Sequence, residues 1–245
     1  TADYRVVDLK TGNATRLFDE GDQMLADFSP DGSKVAFVYK NNIYFRNLET
    51  NEVAQITSDG EKNKVINGSA DWVYEEEFEI TKAFYWSPDG SKIAYLKFNE
   101  VDVPDFTMDY YRGETYPNPY TFKYPKAGEA NSKISLHVYD IYTNLATEID
   151  FGTDEYLPRM KWTNDENKLV ILTMNRHQNH LKYVMVDCST EKPTLKTIFE
   201  EKSDTYVEVD NNLMFLKDGS GFLRTSESSG YRHIYKVSFE GEVTA

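Results

Sequence analysis

The residues best placed to do chemistry lie in the stretch Ala70-Asp71-Trp72-Val73-Tyr74-Glu75-Glu76-Glu77-Phe78. Three consecutive carboxylates stand directly behind a Trp and a Tyr, just before a strand-like run. Two readings of this pattern are open. In the first, Trp72, Glu75, Glu76 and Glu79 lie three or four apart, so one short amphipathic helical turn buries Trp72 and solvates the glutamates. In the second, adjacent carboxylates on one rigid turn are left unpaired to receive a cation. Neighbouring side chains diverge by about 100° on a helix. They converge on one guest only if the turn projects edge-on into a cavity.

Other reactive residue types give less. Cys188 is the single cysteine, which excludes an intrachain disulfide and a cysteine-rich metal site. With Val184 and Val186 nearby it reads as a small buried filler, and no motif around it suggests a catalytic thiol. His177 and His180 sit three apart in a polar turn with no third ligand, so no metal is expected there. His233 opens a strand in Gly230-Tyr231-Arg232-His233 and reads as structural. No Gly-x-Ser-x-Gly nucleophile elbow occurs, and Ser228-Ser229-Gly230 lacks the Gly two residues before either Ser. No catalytic residue, metal or cofactor is therefore expected in this chain.

The elements that must carry the glutamates come from a repeat. The turn Phe28-Ser29-Pro30-Asp31-Gly32 recurs as Trp86-Ser87-Pro88-Asp89-Gly90. Weaker copies stand at Trp162-Thr163-Asn164-Asp165 and Phe215-Leu216-Lys217-Asp218-Gly219. Pro presets φ, Asp bonds its own backbone, and Gly accepts positive φ. Alternating strands follow, as in Ser33-Lys34-Val35-Ala36-Phe37-Val38-Tyr39, and closing strands end near Asp-x-x-Thr, as in His137-Val138-Tyr139-Asp140-Ile141-Tyr142-Thr143. The pattern predicts an all-β chain of four-stranded antiparallel blades, part of a β-propeller, with a short helical acidic insertion and an extended arm.

Blade boundaries are expected at residues 1–20 (a half-blade), 21–57, 58–150, 151–199 and 200–245. The 58–150 blade is about twice the usual length because it holds both the acidic stretch and an arm over residues 99–131. That arm is dense in Tyr and Pro, with Tyr110-Tyr111, Tyr116-Pro117, Pro119-Tyr120 and Tyr124-Pro125. It reads either as an exposed interface segment or as an arm packed on its own domain. One half-blade and four blades do not close a propeller, so the chain reads as a piece of a longer one, with open edges.

Bulk composition agrees. The chain has 245 residues, 40% hydrophobic and 14% aromatic, which excludes disorder as the main state. A net charge of −14 argues against nucleic acid or an anionic membrane as partner. No apolar run is long enough to span a bilayer, and the first residues read as strand rather than as a targeting segment.

Several motifs are specific enough to resemble one family. They are Asp71-Trp72-Val73-Tyr74-Glu75-Glu76-Glu77, Tyr85-Trp86-Ser87-Pro88-Asp89-Gly90 and Phe98-Asn99-Glu100-Val101-Asp102-Val103-Pro104. Tyr124-Pro125-Lys126-Ala127-Gly128-Glu129-Ala130-Asn131 and Gly230-Tyr231-Arg232-His233-Ile234 complete the set. In order and spacing they resemble the dipeptidyl peptidase IV family over nearly the whole chain.

The resemblance implies a serine exopeptidase that releases Xaa-Pro or Xaa-Ala dipeptides from peptide N-termini. In that family an eight-bladed propeller caps an α/β-hydrolase domain carrying Ser, Asp and His. The motif's second and third glutamates, here Glu76 and Glu77, are implied to grip the substrate's free α-ammonium, with Asp71, Trp72 and Tyr74 in support. The arm, with Pro104, Tyr110, Tyr111, Tyr116, Tyr120 and Tyr124, is implied to help form a homodimer. The implied partners are peptides with a free N-terminus and Pro or Ala second, and the chain's own C-terminal hydrolase domain. An extracytoplasmic setting, periplasmic or secreted, is implied as well.

Departures from the family pattern are visible. The family's disulfides cannot form with Cys188 alone, which points to a bacterial-type member. The family's carbonyl-binding Arg belongs to a blade upstream of Thr1. The segment Val207-Glu208-Val209-Asp210 is shorter than in the animal enzymes and lacks their Phe-Arg pair. The competing reading is a non-catalytic propeller serving as a protein-binding scaffold, with the glutamates as solvated surface.

Overall fold

The structure, a computed structural model, describes residues 1–244. Ala245, the last residue of the expected 200–245 blade, lies outside the described residues. Two compact units are present. The first comprises Thr1–Phe84 and Tyr95–Ser135, the second Tyr85–Ala94 and the chain from Leu136 onward.

In the first unit, β1 (Arg5–Val7) and β2 (Ala14–Arg16) form a hairpin. They are followed by a four-stranded antiparallel sheet of β3 (Met24–Phe28), β4 (Lys34–Tyr39), β5 (Asn42–Asn47) and β6 (Val53–Gln55), paired in chain order. A chain-ordered meander is the plan expected of a propeller blade. The core gathers Leu17, Phe18, Val35, Phe37 and Tyr39, with Phe37 stacked on Tyr44 at 5.7 Å. Strand β4 differs from the alternation read in the sequence, because Val35 through Tyr39 are all buried. A middle strand covered on both faces has no solvent side to keep polar.

The next sheet has the order β13-β12-β9-β7, with β8 also paired to β9. Its strands are β7 (Val65–Asn67), β8 (Phe84–Trp86), β9 (Lys92–Asn99), β12 (Lys133–Asp140) and β13 (Leu145–Ile149). Two insertions interrupt it. Helix α1 (Trp72–Glu76) lies between β7 and β8. An antiparallel ribbon of β10 (Asp105–Tyr110) and β11 (Asn118–Lys123) lies between β9 and β12.

The second unit carries a four-stranded sheet of β14 (Tyr156–Trp162), β15 (Lys168–Met174), β16 (His180–Asp187) and β17 (Thr194–Lys202). A three-stranded sheet of β18 (Met214–Phe215), β19 (Gly221–Ser226) and β20 (His233–Ser238) follows. Tyr183 of β16 stacks on Phe222 of β19 at 5.7 Å. The Trp162 indole donates to the Tyr85 carbonyl at 3.0 Å.

The turns repeat in atomic detail. Asp31 accepts from Ser29 Oγ (2.6 Å) and the Ser33 amide (3.0 Å), and Gly32 has φ of 71°. Asp89 accepts from Ser87 Oγ and the Ser91 amide at the same distances, and Gly90 has φ of 69°. The weaker copies keep the Asp role, with Asp165 accepting from the Asn167 amide and Asp218 from the Ser220 amide. Hydrogen bonds from the two serines hold the Asp31 carboxyl well below the usual range.

Candidate functional site

Helix α1 begins where Gly68 turns the chain off β7. Gly68 has φ of 75°, and a Cβ there would stand 2.6 Å from Cγ1 of Ile43, so only glycine fits without displacing a core side chain. The loop closes on itself, with the Ala70 amide donating to the Thr81 carbonyl (2.9 Å) and the Ile80 amide to the Tyr74 carbonyl (3.1 Å).

Asp71 is the N-cap, and its carboxylate accepts from the Tyr74 amide at 2.9 Å. The same carboxylate accepts a hydrogen bond from Ser132 Oγ at 2.5 Å. Asp71 is 6% exposed, and this burial pushes its carboxyl up despite the hydrogen bonds. Val73 and Tyr74 form the buried side of the helix, and Phe78 just beyond it is buried as well, with Tyr74 packed on Phe98 at 4.9 Å and on Phe78 at 5.1 Å.

Trp72 is only half-buried, which departs from the helical-wheel expectation. Its ring meets Tyr124 at 4.1 Å instead of entering the core. Glu79, read as a member of the helical face, lies beyond the helix at φ of 55°.

Glu75, Glu76 and Glu77 are all exposed. Among the described residues no ion pair or hydrogen bond engages their carboxylates. The turn is amphipathic, with Val73 and Tyr74 inward and the three carboxylates in solvent.

The arm is a two-stranded antiparallel ribbon. Asp105 pairs with Lys123 and Tyr110 with Asn118 across it. A two-stranded ribbon has free edges, so Pro119 is tolerated within β11. Tyr111, Tyr116 and Tyr120 are exposed, Tyr116 at 81%. Tyr110 is half-buried against Tyr120 at 5.8 Å. Pro104 stands at the root, where its carbonyl accepts from the Tyr124 amide at 3.0 Å.

The Tyr residues of the arm thus divide. Tyr110, Tyr111, Tyr116 and Tyr120 belong to the outer ribbon. Tyr124 belongs to the base, packed on Trp72 and on Phe106 at 5.4 Å.

A buried carboxyl that the sequence reading passed over lies at the same base. Glu100 is 6% exposed, and burial raises its pKa to about 7, with Asp71 adding to the effect. Lys123 opposes this shift, while Lys123 itself donates to the Val103 carbonyl at 2.8 Å and pairs with Asp105 at 3.1 Å. The only sequence signal was the position of Glu100 inside the Phe98-to-Pro104 motif. Ser132 gave none.

The remaining reactive residues are placed elsewhere. His180 pairs with Glu200 at 2.8 Å. Cys188 is half-buried rather than a fully buried filler, and desolvation still pushes its thiol up to about 11, far from a reactive thiolate. Among the described residues no cluster of three His, Cys, Asp or Glu side chains is arranged to hold a metal.

A family model described as the dipeptidyl peptidase IV N-terminal region matches residues 1–245. The crystal structure of Porphyromonas gingivalis dipeptidyl peptidase 4 superposes with a TM-score of 0.91 at 36% identity, covering 98% of this chain and 35% of that one. Human prolyl endopeptidase FAP is 36% identical over 260 residues, covering 97% of this chain and 33% of its own length. Rat inactive dipeptidyl peptidase 10 is 30% identical over 237 residues, covering 92% of this chain and 29% of its own length. The chain thus spans about a third or less of the relatives it matches.

Proposed function

The chain belongs to the dipeptidyl peptidase IV N-terminal region family, and from that premise we propose that it is the substrate-gating propeller part of a serine exopeptidase. In this reading Glu76 and Glu77 bind the free α-ammonium of a peptide whose second residue is Pro or Ala. The observation that carries the proposal is the pair of exposed, unpaired carboxylates on a helix anchored by a buried cap.

The chemistry follows from charge and length. Two carboxylates around one ammonium give charge-assisted hydrogen bonds, each about 1.5–3 kcal/mol. Fixed on a short rigid turn, they set the distance from the peptide N-terminus to a hydrolase nucleophile supplied by another domain. Cleavage then falls after the second residue. A blocked N-terminus would leave both carboxylates without their partner.

In the full-length protein, an Xaa-Pro substrate with a free amine is expected to exceed its N-acetylated counterpart in kcat/KM by a hundredfold or more. Equal turnover of the two would overturn the proposal. The ribbon with exposed Tyr111, Tyr116 and Tyr120 is assigned to homodimerisation in the same reading. Sedimentation of the full-length protein as a monomer at micromolar concentration would contradict that assignment. An extracytoplasmic location belongs to the proposal, and recovery of the protein in the cytosol on cell fractionation would oppose it.

A scaffold reading keeps one specific support. The rat relative described as inactive is 30% identical over 92% of this chain. Possession of this region does not by itself make a peptidase.

A further inference from the structure

Helix α1 is five residues long. Isolated helices shorter than about 12–15 residues are marginal in water, so contacts from outside fix where Glu76 and Glu77 stand. Two of these contacts come from one place, the chain returning from the ribbon. Ser132 Oγ holds the cap carboxylate of Asp71 at 2.5 Å, and Tyr124 meets the ring of Trp72 at 4.1 Å. The cap and the first residue of the helix are therefore both gripped from the far side of the arm.

The grip is itself braced. The Tyr124 amide donates to the Pro104 carbonyl at 3.0 Å, Phe106 packs on the Tyr124 ring, and the Lys126 ammonium lies 5.2 Å from that ring's centre. Asp71 and Ser132 are 6% and 7% exposed, so their hydrogen bond is shielded from water. On the inner side Tyr74 rests on Phe98.

We infer that Tyr124 and Ser132 are positioning residues for the amine-binding glutamates, acting through Trp72 and Asp71. The inference rests on the reading of Glu76 and Glu77 given above. Tyr124 and Ser132 do not touch substrate in this assignment. They set the register of the carboxylates, and an error of about 1 Å in such a group is enough to cost a hundredfold in rate.

The test compares two substrates in the full-length protein: an Xaa-Pro substrate with a free amine and its des-amino analogue, which offers the glutamates no charge. Glu76→Gln serves as the reference variant. Tyr124→Ala and Ser132→Ala are each expected to lower kcat/KM on the free-amine substrate by fivefold or more while leaving the des-amino substrate within twofold. Tyr124→Phe keeps the ring and is expected to stay near the parent. Added to a Glu76→Gln/Glu77→Gln double variant, Tyr124→Ala is expected to cost little more, because the contacts it positions are already gone.

Equal losses on both substrates, or full additivity, would overturn the inference in favour of general destabilisation. Loss of amine discrimination in Glu76→Gln but not in Tyr124→Ala or Ser132→Ala would overturn the positioning role and leave the amine site standing. Unchanged discrimination in Glu76→Gln would overturn the amine site, and the positioning role with it.

Discussion

The carboxylate of Asp71 serves two masters: it caps α1 through the Tyr74 amide and accepts the Ser132 hydroxyl from the far end of the arm. A single buried side chain thus joins a five-residue helix to a strand that begins one residue later, at Lys133. Removing it should release both ends. Asp71→Ala is expected to destabilise the protein by about 2–3 kcal/mol, combining the lost cap with an unsatisfied buried hydroxyl. Asp71→Asn can still accept the Tyr74 amide and should cost about 1 kcal/mol or less. Denaturant unfolding of both variants checks the order. An Asp71→Ala protein as stable as the parent would show that the cap is not a structural anchor.

Glu100 makes stability depend on pH. Its pKa rises from 4.5 to about 7 on folding because it is buried, with Asp71 and Asp105 adding to the shift and Lys123 opposing it. A carboxyl raised on folding binds its proton more tightly in the folded state. It costs nothing below its unfolded value, and destabilises progressively as pH climbs from about 4.5 to about 7. Glu100→Gln is expected to be more stable than the parent at pH 8, on the order of 1 kcal/mol, with no gain at pH 4. Thermal unfolding at the two pH values decides it, and an equal effect at both would contradict the assignment.

Arg224 is buried in the second unit, paired with Glu201 and lying 4.5 Å from the ring centre of Phe199. Breaking one side of a buried ion pair leaves an uncompensated charge. Arg224→Met is expected to cost about 3 kcal/mol or more, and the Arg224→Met/Glu201→Gln double variant less than the sum of the two single changes. A double-mutant cycle on unfolding free energies is the check.

Cys188 should be chemically quiet. With its thiol pushed up to about 11, the thiolate is scarce at pH 8. Reaction of the folded protein with a disulfide reagent is expected to be more than tenfold slower than that of the urea-unfolded chain. Equal rates would contradict the raised thiol pKa.

Much of the fold was legible because its signals are local. The Ser29-to-Asp31 and Ser87-to-Asp89 bonds close within two residues, so the turn residues carry their own geometry. The acidic helix was legible from Asp71 and the spacing behind it. Its burial pattern was not. A wheel treats Trp72 as core, whereas the aromatic partner that holds it half-exposed is Tyr124, on a different loop.

The arm was readable as extended, but its ribbon pairing and the inward turn of Tyr124 depend on tertiary contacts. The same holds for Ser132 and Glu100. Neither belongs to a periodic pattern, and their meaning arises only from what the fold places beside them.

The most direct test of the central assignment is steady-state kinetics of Glu76→Gln and Glu77→Gln in the full-length protein on an Xaa-Pro substrate with a free N-terminus. If the paired carboxylates hold the α-ammonium, each change removes a charge-assisted contact, KM rises, and kcat/KM falls tenfold or more. Turnover near that of the parent in both single variants would contradict it, leaving the three glutamates as solvated surface on a scaffold.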